Sequence, residues 1–104
     1  MTDNVIILCT APPGDSEKIA KVLVEERLAA CVNVFPVKSY YIWEGKLSED
    51  EEELMIIKTT QEAAKNVKAR ILELHSYKLP EIIIIPIVGG EERYLQWIDQ
   101  SVIN

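Results

Sequence analysis

Cys9 and His75 are the side chains of this chain best suited to bind a metal ion. A thiolate and an imidazole together suit soft or borderline cations such as copper or zinc. Two ligands alone make an incomplete site, so a purely structural interpretation stays open. In that interpretation Cys9 is a small core residue, and His75 is favoured at a helix C-terminus by the helix dipole. The sequence therefore predicts either copper or another divalent cation, or no cofactor.

A second set of side chains combines aromatic rings with charged tips near the predicted ends of strands. Its members are Trp43, Lys58, Tyr77, Glu81, Tyr94 and Trp97. Lys58 ends an apolar strand, where a buried ammonium needs a partner, and Glu81 is the candidate. Because aromatic residues are enriched at subunit interfaces, this set could line a ligand cleft, pack an interface, or do both.

Signatures of catalysis are scarce in this sequence. It contains one histidine, no glycine-rich phosphate loop, no Ser/His/Asp set and no CxxC spacing. Cys9 and His75 could pair as a nucleophile and a base, but the sequence offers no third residue to orient them. We therefore expect a protein that is not an enzyme.

The negative charge of the chain is concentrated in one segment. Residues 44–53 contain six acidic side chains and one basic one, whereas the whole chain carries a net charge of −6. The remainder is nearly balanced and has no basic stripe, so nucleic acid is not an expected partner. The five consecutive acids, residues 49–53, are predicted to form a solvated turn, with a weak cation-attracting patch as the alternative.

The length and composition indicate one domain, residues 1–104, of an ordinary globular protein. Residues 1–10 lack the basic start and long apolar region of a signal peptide, and no run approaches a membrane span. We therefore expect a cytoplasmic protein without a membrane partner. In that compartment Cys9 and Cys31 should be free thiols.

Hydrophobic periodicity predicts four strands and three helices. Helix 1 is capped by Asp15 or Ser16 and turns Ile19, Ala20, Leu23, Val24 and Leu28 inward, and helix 2 follows a Thr59–Glu62 capping box. Helix 3 turns Tyr94, Leu95, Ile98 and Val102 inward. The predicted strands are residues 3–10, 31–43 with an interruption at Pro36, about 53–59, and 82–88, and helix 3 spans 91–103.

This order indicates an α+β fold, a ferredoxin-like sandwich (βαββαβ) plus a C-terminal helix. In that architecture the first and third strands are central, so Cys9 and Cys31 lie on strands that are not neighbours. Strands 2 and 3 are long for a domain of this size and should project as an extended β2–β3 hairpin. Its tip would carry Tyr40, Tyr41, Ile42 and Trp43, and an apolar tip with free strand edges favours self-association.

Five segments in register resemble the CutA family, the divalent-cation tolerance proteins. They are residues 23–34, 41–46, 58–60, 75–82 and 94–97. The resemblance extends from Leu8-Cys9-Thr10 to Trp97, and it implies a role in metal tolerance or response. It also implies a homotrimer in which each hairpin extends a sheet across the subunit boundary.

The resemblance assigns roles to particular positions as well. Cys9 and His75 match the family positions that are linked to copper. Ser76 stands where the family usually has proline, and Leu74 where some members have a second histidine. The trimeric ferredoxin-like architecture is similar to that of PII signalling proteins, which bind ligands between subunits. The alternative function is therefore a PII-like small-molecule sensor or interaction module with a ligand in the inter-subunit cleft.

Overall fold

A computed structural model describes residues 3–103 of the chain. It contains four strands and three helices within that range, in the predicted order. They are β1 (Asn4–Ala11), α1 (Asp15–Glu25), β2 (Cys31–Trp43), β3 (Lys46–Thr60), α2 (Gln61–Leu74), β4 (Ile82–Pro86) and α3 (Glu92–Ser101).

The four strands form one antiparallel sheet in the order β2-β3-β1-β4. β1 and β3 are central and pair from Asn4–Thr60 to Ala11–Glu53. Both cysteines are free and lie on β1 and β2, which are separated by β3. The predicted ferredoxin-like arrangement and the free thiols are therefore confirmed.

One face of the sheet, here called the closed face, packs against α1 and α2. Alternate residues of β1 and β3 point to it, as the period of two in a strand requires. Its core includes Val5, Ile7, Cys9, Met55, Ile57, Ile19, Leu23, Val67 and Ile71, which are almost completely buried.

The opposite face, here called the open face, has little cover. Helix α3 covers it near the start of β1, where the Asn4 side-chain amide donates to Asp99 at 3.0 Å. Beyond α3 it presents half-buried or exposed apolar side chains. These are Ile6, Leu8, Phe35, Leu54, Ile56, Ile83 and Ile85.

The β2–β3 hairpin is longer than predicted, because β3 starts at Lys46 and not near Glu53. The five acids therefore lie in a strand and do not form a turn. Pairing with β2, including Tyr40 with Glu49, supplies the backbone hydrogen bonds of these acids. The side chains of the exposed acids remain in water. The radius of gyration of 14.2 Å exceeds the ~13 Å expected for a compact domain of this length, as a projecting hairpin requires.

The ends of helix α1 differ from the predictions. Its N-cap is Gly14, at φ 99°, with no side-chain cap, and Ser16 instead bonds Glu53. Val24 is 41% exposed, so it is not part of the inward stripe. Arg27 closes the helix with a left-handed φ of 59°, which turns the chain so that Leu28 reaches the core from outside the helix.

The start of α2 differs by one residue from the predicted capping box. Thr60, not Thr59, is the N-cap, and its hydroxyl accepts from the Ala63 N–H at 3.1 Å. The Thr59 hydroxyl donates to the Leu28 carbonyl at 2.7 Å, a contact that sequence spacing does not show.

The last two elements are shorter than predicted. β4 ends at Pro86, and Val88 is fully exposed. α3 ends at Ser101 because Val102 has extended backbone angles, and the Ile103 N–H then donates to the Arg27 carbonyl. Ile98 is buried as predicted, whereas Tyr94 is 44% exposed on the open side.

Candidate functional site

The end of β1 brings Cys9 and His75 to the same backbone carbonyl, that of Thr10. The Cys9 thiol is completely buried, and its Sγ lies 3.7 Å from the Thr10 oxygen. Burial raises the pKa of Cys9 to about 12, and the charges of Glu81 and Glu52 add to the effect. Cys9 is therefore a protonated thiol at neutral pH and not a thiolate.

His75 is the C-cap residue of α2 and is 9% exposed. Its Nε2 lies 2.7 Å from the Thr10 carbonyl oxygen, which can only accept a hydrogen bond. Its Nδ1 lies 3.0 Å from the Tyr77 backbone nitrogen, which can only donate one. The ring is therefore neutral with its hydrogen on Nε2, and both nitrogens have a partner.

Tyr77 continues this set of contacts toward the hairpin. Its hydroxyl donates to Glu52 Oε2 at 2.9 Å, and its ring centroid lies 4.9 Å from that of His75. Glu52 is only 6% exposed. Burial and the Glu52 carboxylate raise the pKa of Tyr77 to about 12, so the hydroxyl remains a donor at neutral pH.

Metal ions need a set of available ligands, and the arrangement of these residues does not offer one. Cys9 is protonated and buried, and neither ring nitrogen of His75 has a free position. Within residues 3–103 no group of three or more His, Cys, Asp or Glu side chains is placed to hold a metal ion. The structure thus brings the two predicted ligands together, but their polar atoms are engaged with the protein.

The second predicted set is divided among three places. Tyr77 and Glu81 lie beside Cys9 and His75, whereas Lys58, Tyr94 and Trp97 belong to the other end of the sheet. There Lys58 is the register partner of Cys31, and the rings of Tyr94 and Trp97 are 5.4 Å apart. Burial raises the pKa of Tyr94 above its usual value.

Trp43 is the most distant member of that set. It lies at the hairpin tip and is 56% exposed. Twelve residues of β2 separate it from Cys31 beside Lys58, which is about 40 Å at the usual rise of ~3.3 Å per residue. The six side chains of one chain therefore do not line one cleft.

The predicted partnership of Lys58 and Glu81 is not formed. Glu81 precedes Ile82, which pairs with Cys9, whereas Lys58 pairs with Ile6. Ile6 and Cys9 are three residue steps apart on β1, about 10 Å, so Lys58 and Glu81 lie at different positions along the sheet. Lys58 is partly exposed, so its ammonium does not require a buried partner.

Sequence reasoning missed Glu52, Thr10 and the pair of Ser16 and Glu53. Glu52 is hidden within a run of five acids, and its burial depends on where β1 ends, next to Ala11 and its partner Glu53. Thr10 contributes its backbone carbonyl, and every residue type has one, so the residue type gives no signal. The Ser16 hydroxyl, on a fully buried residue, donates to Glu53 on the closed side of the sheet.

None of the helices in residues 3–103 is long and apolar enough to cross a membrane.

The chain matches the family model of the CutA1 divalent ion tolerance protein over residues 5–101. A divalent-cation tolerance protein CutA from Thermus thermophilus is 45% identical over 98 residues, covering 92% of this chain and 95% of its own length. The chloroplastic protein CutA of Arabidopsis thaliana is 41% identical over 103 residues, which are 97% of this chain. This chain spans only 57% of that plant relative.

Solved structures agree with this match. The periplasmic divalent cation tolerance protein CutA from Archaeoglobus fulgidus superposes with a TM-score of 0.93 at 44% identity, covering 96% of this chain and 99% of that one. The family match, the relatives' sequences and the fold all extend over nearly the whole chain. This chain therefore belongs to the CutA1 divalent ion tolerance family.

Proposed function

We propose that this chain acts in tolerance of, or response to, divalent metal ions, as a homotrimer and without catalysis. The relatives that match over nearly the whole chain are named for divalent-cation tolerance, which supports the first part. The observation that carries the assembly is the open face, because a soluble domain rarely leaves an apolar sheet face uncovered.

The hairpin supports the same assembly. Tyr40, Ile42, Trp43 and Leu47 at its tip are 56–69% exposed, although such side chains favour burial. The outer edges of β2 and β4 carry no neighbouring strand within residues 3–103. A second copy of the chain would cover both the tip and an edge, and closed cyclic symmetry would satisfy every copy equally.

Light scattering at micromolar concentration tests the trimer. The expected mass is close to three times the 11.8 kDa of one chain. A mass of one chain, unchanged on further concentration, would contradict the proposal.

Weak copper binding at Cys9 and His75 is the narrower part of the proposal. Both residues match metal-linked positions and meet at the Thr10 carbonyl. Binding would require Cys9 to lose its proton and His75 to give up a hydrogen bond, so we propose a weak site. Cu(I) titration of the wild type, Cys9→Ser and His75→Ala under reducing conditions tests it, and equal affinity in all three would refute it.

A PII-like small-molecule sensor is the second candidate function. The feature that favours it is the pair of rings, Tyr94 and Trp97, on the same side of the sheet as Lys58. Together they would suit a flat anionic ligand, and a Trp43 from another copy could complete the cleft. A metabolite screen by thermal shift separates the two candidates, because a ligand selective for the folded state raises its apparent stability. Stabilisation that Lys58→Gln abolishes and Cys9→Ser retains would favour the sensor.

The cellular location remains a prediction. We propose the cytoplasm, whereas the relatives named above include a chloroplastic and a periplasmic protein. Fractionation of the source cells with antibody detection would test this proposal directly.

A further inference from the structure

The junction where the hairpin leaves the sheet is held by side chains and not by sheet pairing. β1 ends at Ala11, the register partner of Glu53, so within residues 3–103 the only strand beside β3 from Glu52 to Lys46 is β2. A two-stranded ribbon is marginally stable without further support. The direction of the hairpin therefore depends on contacts made at this junction.

Two hydroxyl groups anchor the junction from opposite faces. Consecutive residues of a strand point to opposite sides, so Glu52 and Glu53 diverge. The Tyr77 hydroxyl donates to Glu52 at 2.9 Å, and the Ser16 hydroxyl donates to Glu53. Glu52 is 6% exposed, so the bond from the Tyr77 hydroxyl replaces part of the water that its carboxylate loses on burial.

His75 fixes the position of Tyr77. The Tyr77 N–H donates to Nδ1 at 3.0 Å, while the Nε2–H of the same ring donates to the Thr10 carbonyl at 2.7 Å. The two rings are also in contact. A continuous series of hydrogen bonds thus runs from Thr10 at the end of β1, through His75 and Tyr77, to Glu52 in the hairpin.

The geometry points to a clasp, formed by His75 and Tyr77, that sets the direction of the β2–β3 hairpin. His75 is then a positioning residue that acts through Tyr77. This role conflicts with a role as a metal ligand. A metal on Nδ1 would replace the Tyr77 N–H, and a metal on Nε2 of the neutral ring would leave its hydrogen on Nδ1, facing that N–H.

A closed clasp and a metal on His75 therefore exclude each other. This second conclusion rests on the copper site proposed above, whereas the clasp itself does not. If the metal site exists, a metal bound to His75 would break the clasp and free the hairpin at its junction with the sheet. This is the same hairpin that is proposed to bind other copies of the chain.

Hydrogen exchange of residues 37–52 in Tyr77→Phe tests the clasp. The variant keeps the ring and loses only the bond to Glu52. Since a hydrogen bond to a charged group contributes about 1.5–3 kcal/mol, hairpin amides should exchange about tenfold faster or more. Amides of the β1 core should keep wild-type protection, because a general loss of stability would affect them too.

Tyr40→Phe is the matched control. It removes a hydroxyl from the same hairpin, and among residues 3–103 that hydroxyl has no hydrogen bond to the protein. Both variants are compared at a concentration where light scattering gives the same mass. Hairpin exchange in Tyr77→Phe within twofold of Tyr40→Phe would overturn the clasp.

Two substitutions of His75 separate positioning from simple packing. His75→Asn keeps a short side-chain oxygen that can accept from the Tyr77 N–H, and His75→Ala does not. Hairpin exchange should stay within about threefold of the wild type in the Asn variant and match Tyr77→Phe in the Ala variant. Equal exchange in the two variants would show that His75 does not act through Tyr77.

Addition of Cu(I) tests the exclusion. If His75→Ala abolishes copper binding, copper should accelerate hairpin exchange in the wild type and should not do so further in Tyr77→Phe. Copper bound through His75 without that acceleration would refute the exclusion. Absence of copper binding by the wild type would refute the proposed metal site alone, and Tyr77→Phe would still decide on the clasp.

Discussion

The two faces of the sheet have similar apolar sequences and very different surroundings. On the closed face Ile7 and Ile57 are completely buried under α1 and α2. On the open face their neighbours Leu8 and Ile56 are only half-buried, and Ile83 and Ile85 are 41–48% exposed. Strands that are apolar on both sides normally have cover on both sides. The chain supplies one cover itself, and in the trimer proposed above further copies of the chain would supply the other.

Substitution of adjacent isoleucines gives the largest expected effect and tests that difference directly. Ile57→Ala should lower the free energy of unfolding by about 2–5 kcal/mol, because it leaves a cavity in a packed core. Ile56→Ala on the open face should have a smaller effect that depends on protein concentration. Urea unfolding at two concentrations measures both. A concentration-independent loss in Ile56→Ala as large as that in Ile57→Ala would show that α3 already covers this face.

Removal of the ring at the hairpin tip should weaken assembly. Trp43→Ala deletes a large exposed aromatic side chain, and such residues typically contribute about 2 kcal/mol or more when they anchor an interface. Glu49→Ser with Glu51→Ser is the control, because both glutamates are exposed and Glu52 and Glu53 are bonded. Analytical ultracentrifugation measures the dissociation. The interface lies elsewhere if the acidic double variant dissociates first.

Alkaline pH should destabilise the closed face through Cys9. The pKa of Cys9 is raised from 9.0 to about 12 by burial, so the unfolded thiol loses its proton first. The stabilisation that Cys9 contributes is therefore present below pH 9 and is lost between pH 9 and 12, by about 3 kcal/mol at pH 11. Cys9→Ala should have a flatter profile of unfolding free energy over pH 8–11. If the two proteins lose unfolding free energy equally with pH, then ionisation of Cys9 does not destabilise the folded state, and water reaches the thiol on the closed face.

The two thiols should be alkylated at different rates. This experiment perturbs the protein least, because it needs no substitution. Cys9 is completely buried in the core, whereas Cys31 at the start of β2 is partly exposed. Because a buried thiol reacts only after an opening of the structure, native Cys31 should react at least about a hundredfold faster. Mass spectrometry of the partly alkylated, digested protein gives both rates. Equal rates would contradict the burial of Cys9.

The element order, the central β1–β3 pair and most of the core could be predicted from the sequence. Ile19, Leu23, Val67 and Ile71 recur at helical spacing and are all buried in the structure. Strong periodicity of this kind depends on near neighbours in the chain. Element ends were predicted less well, because they depend on particular backbone angles and contacts such as Gly14 in place of a side-chain cap.

The candidate site could be predicted only in part. Cys9 and His75 were identified by residue type, and the structure does bring both to Thr10. The hydrogen bond of His75 could not be predicted, since it joins positions 65 residues apart through a backbone carbonyl. Within one chain the six side chains predicted to line a cleft are separated, because sheet register separates Lys58 from Glu81 and hairpin length separates Trp43 from both.

The sequence by itself determined the fold class and the faces that must be buried, since these follow from residue type and local periodicity. It also indicated the family, through the resemblance of five segments in register. Only the tertiary structure decided which acid is buried. Glu52 and Glu51 are neighbours of one type, yet the end of β1 and the position of Tyr77 bury the first and leave the second in water. Such outcomes depend on strand register and on contacts between distant segments, and pairing distant segments is the information that a linear pattern does not contain.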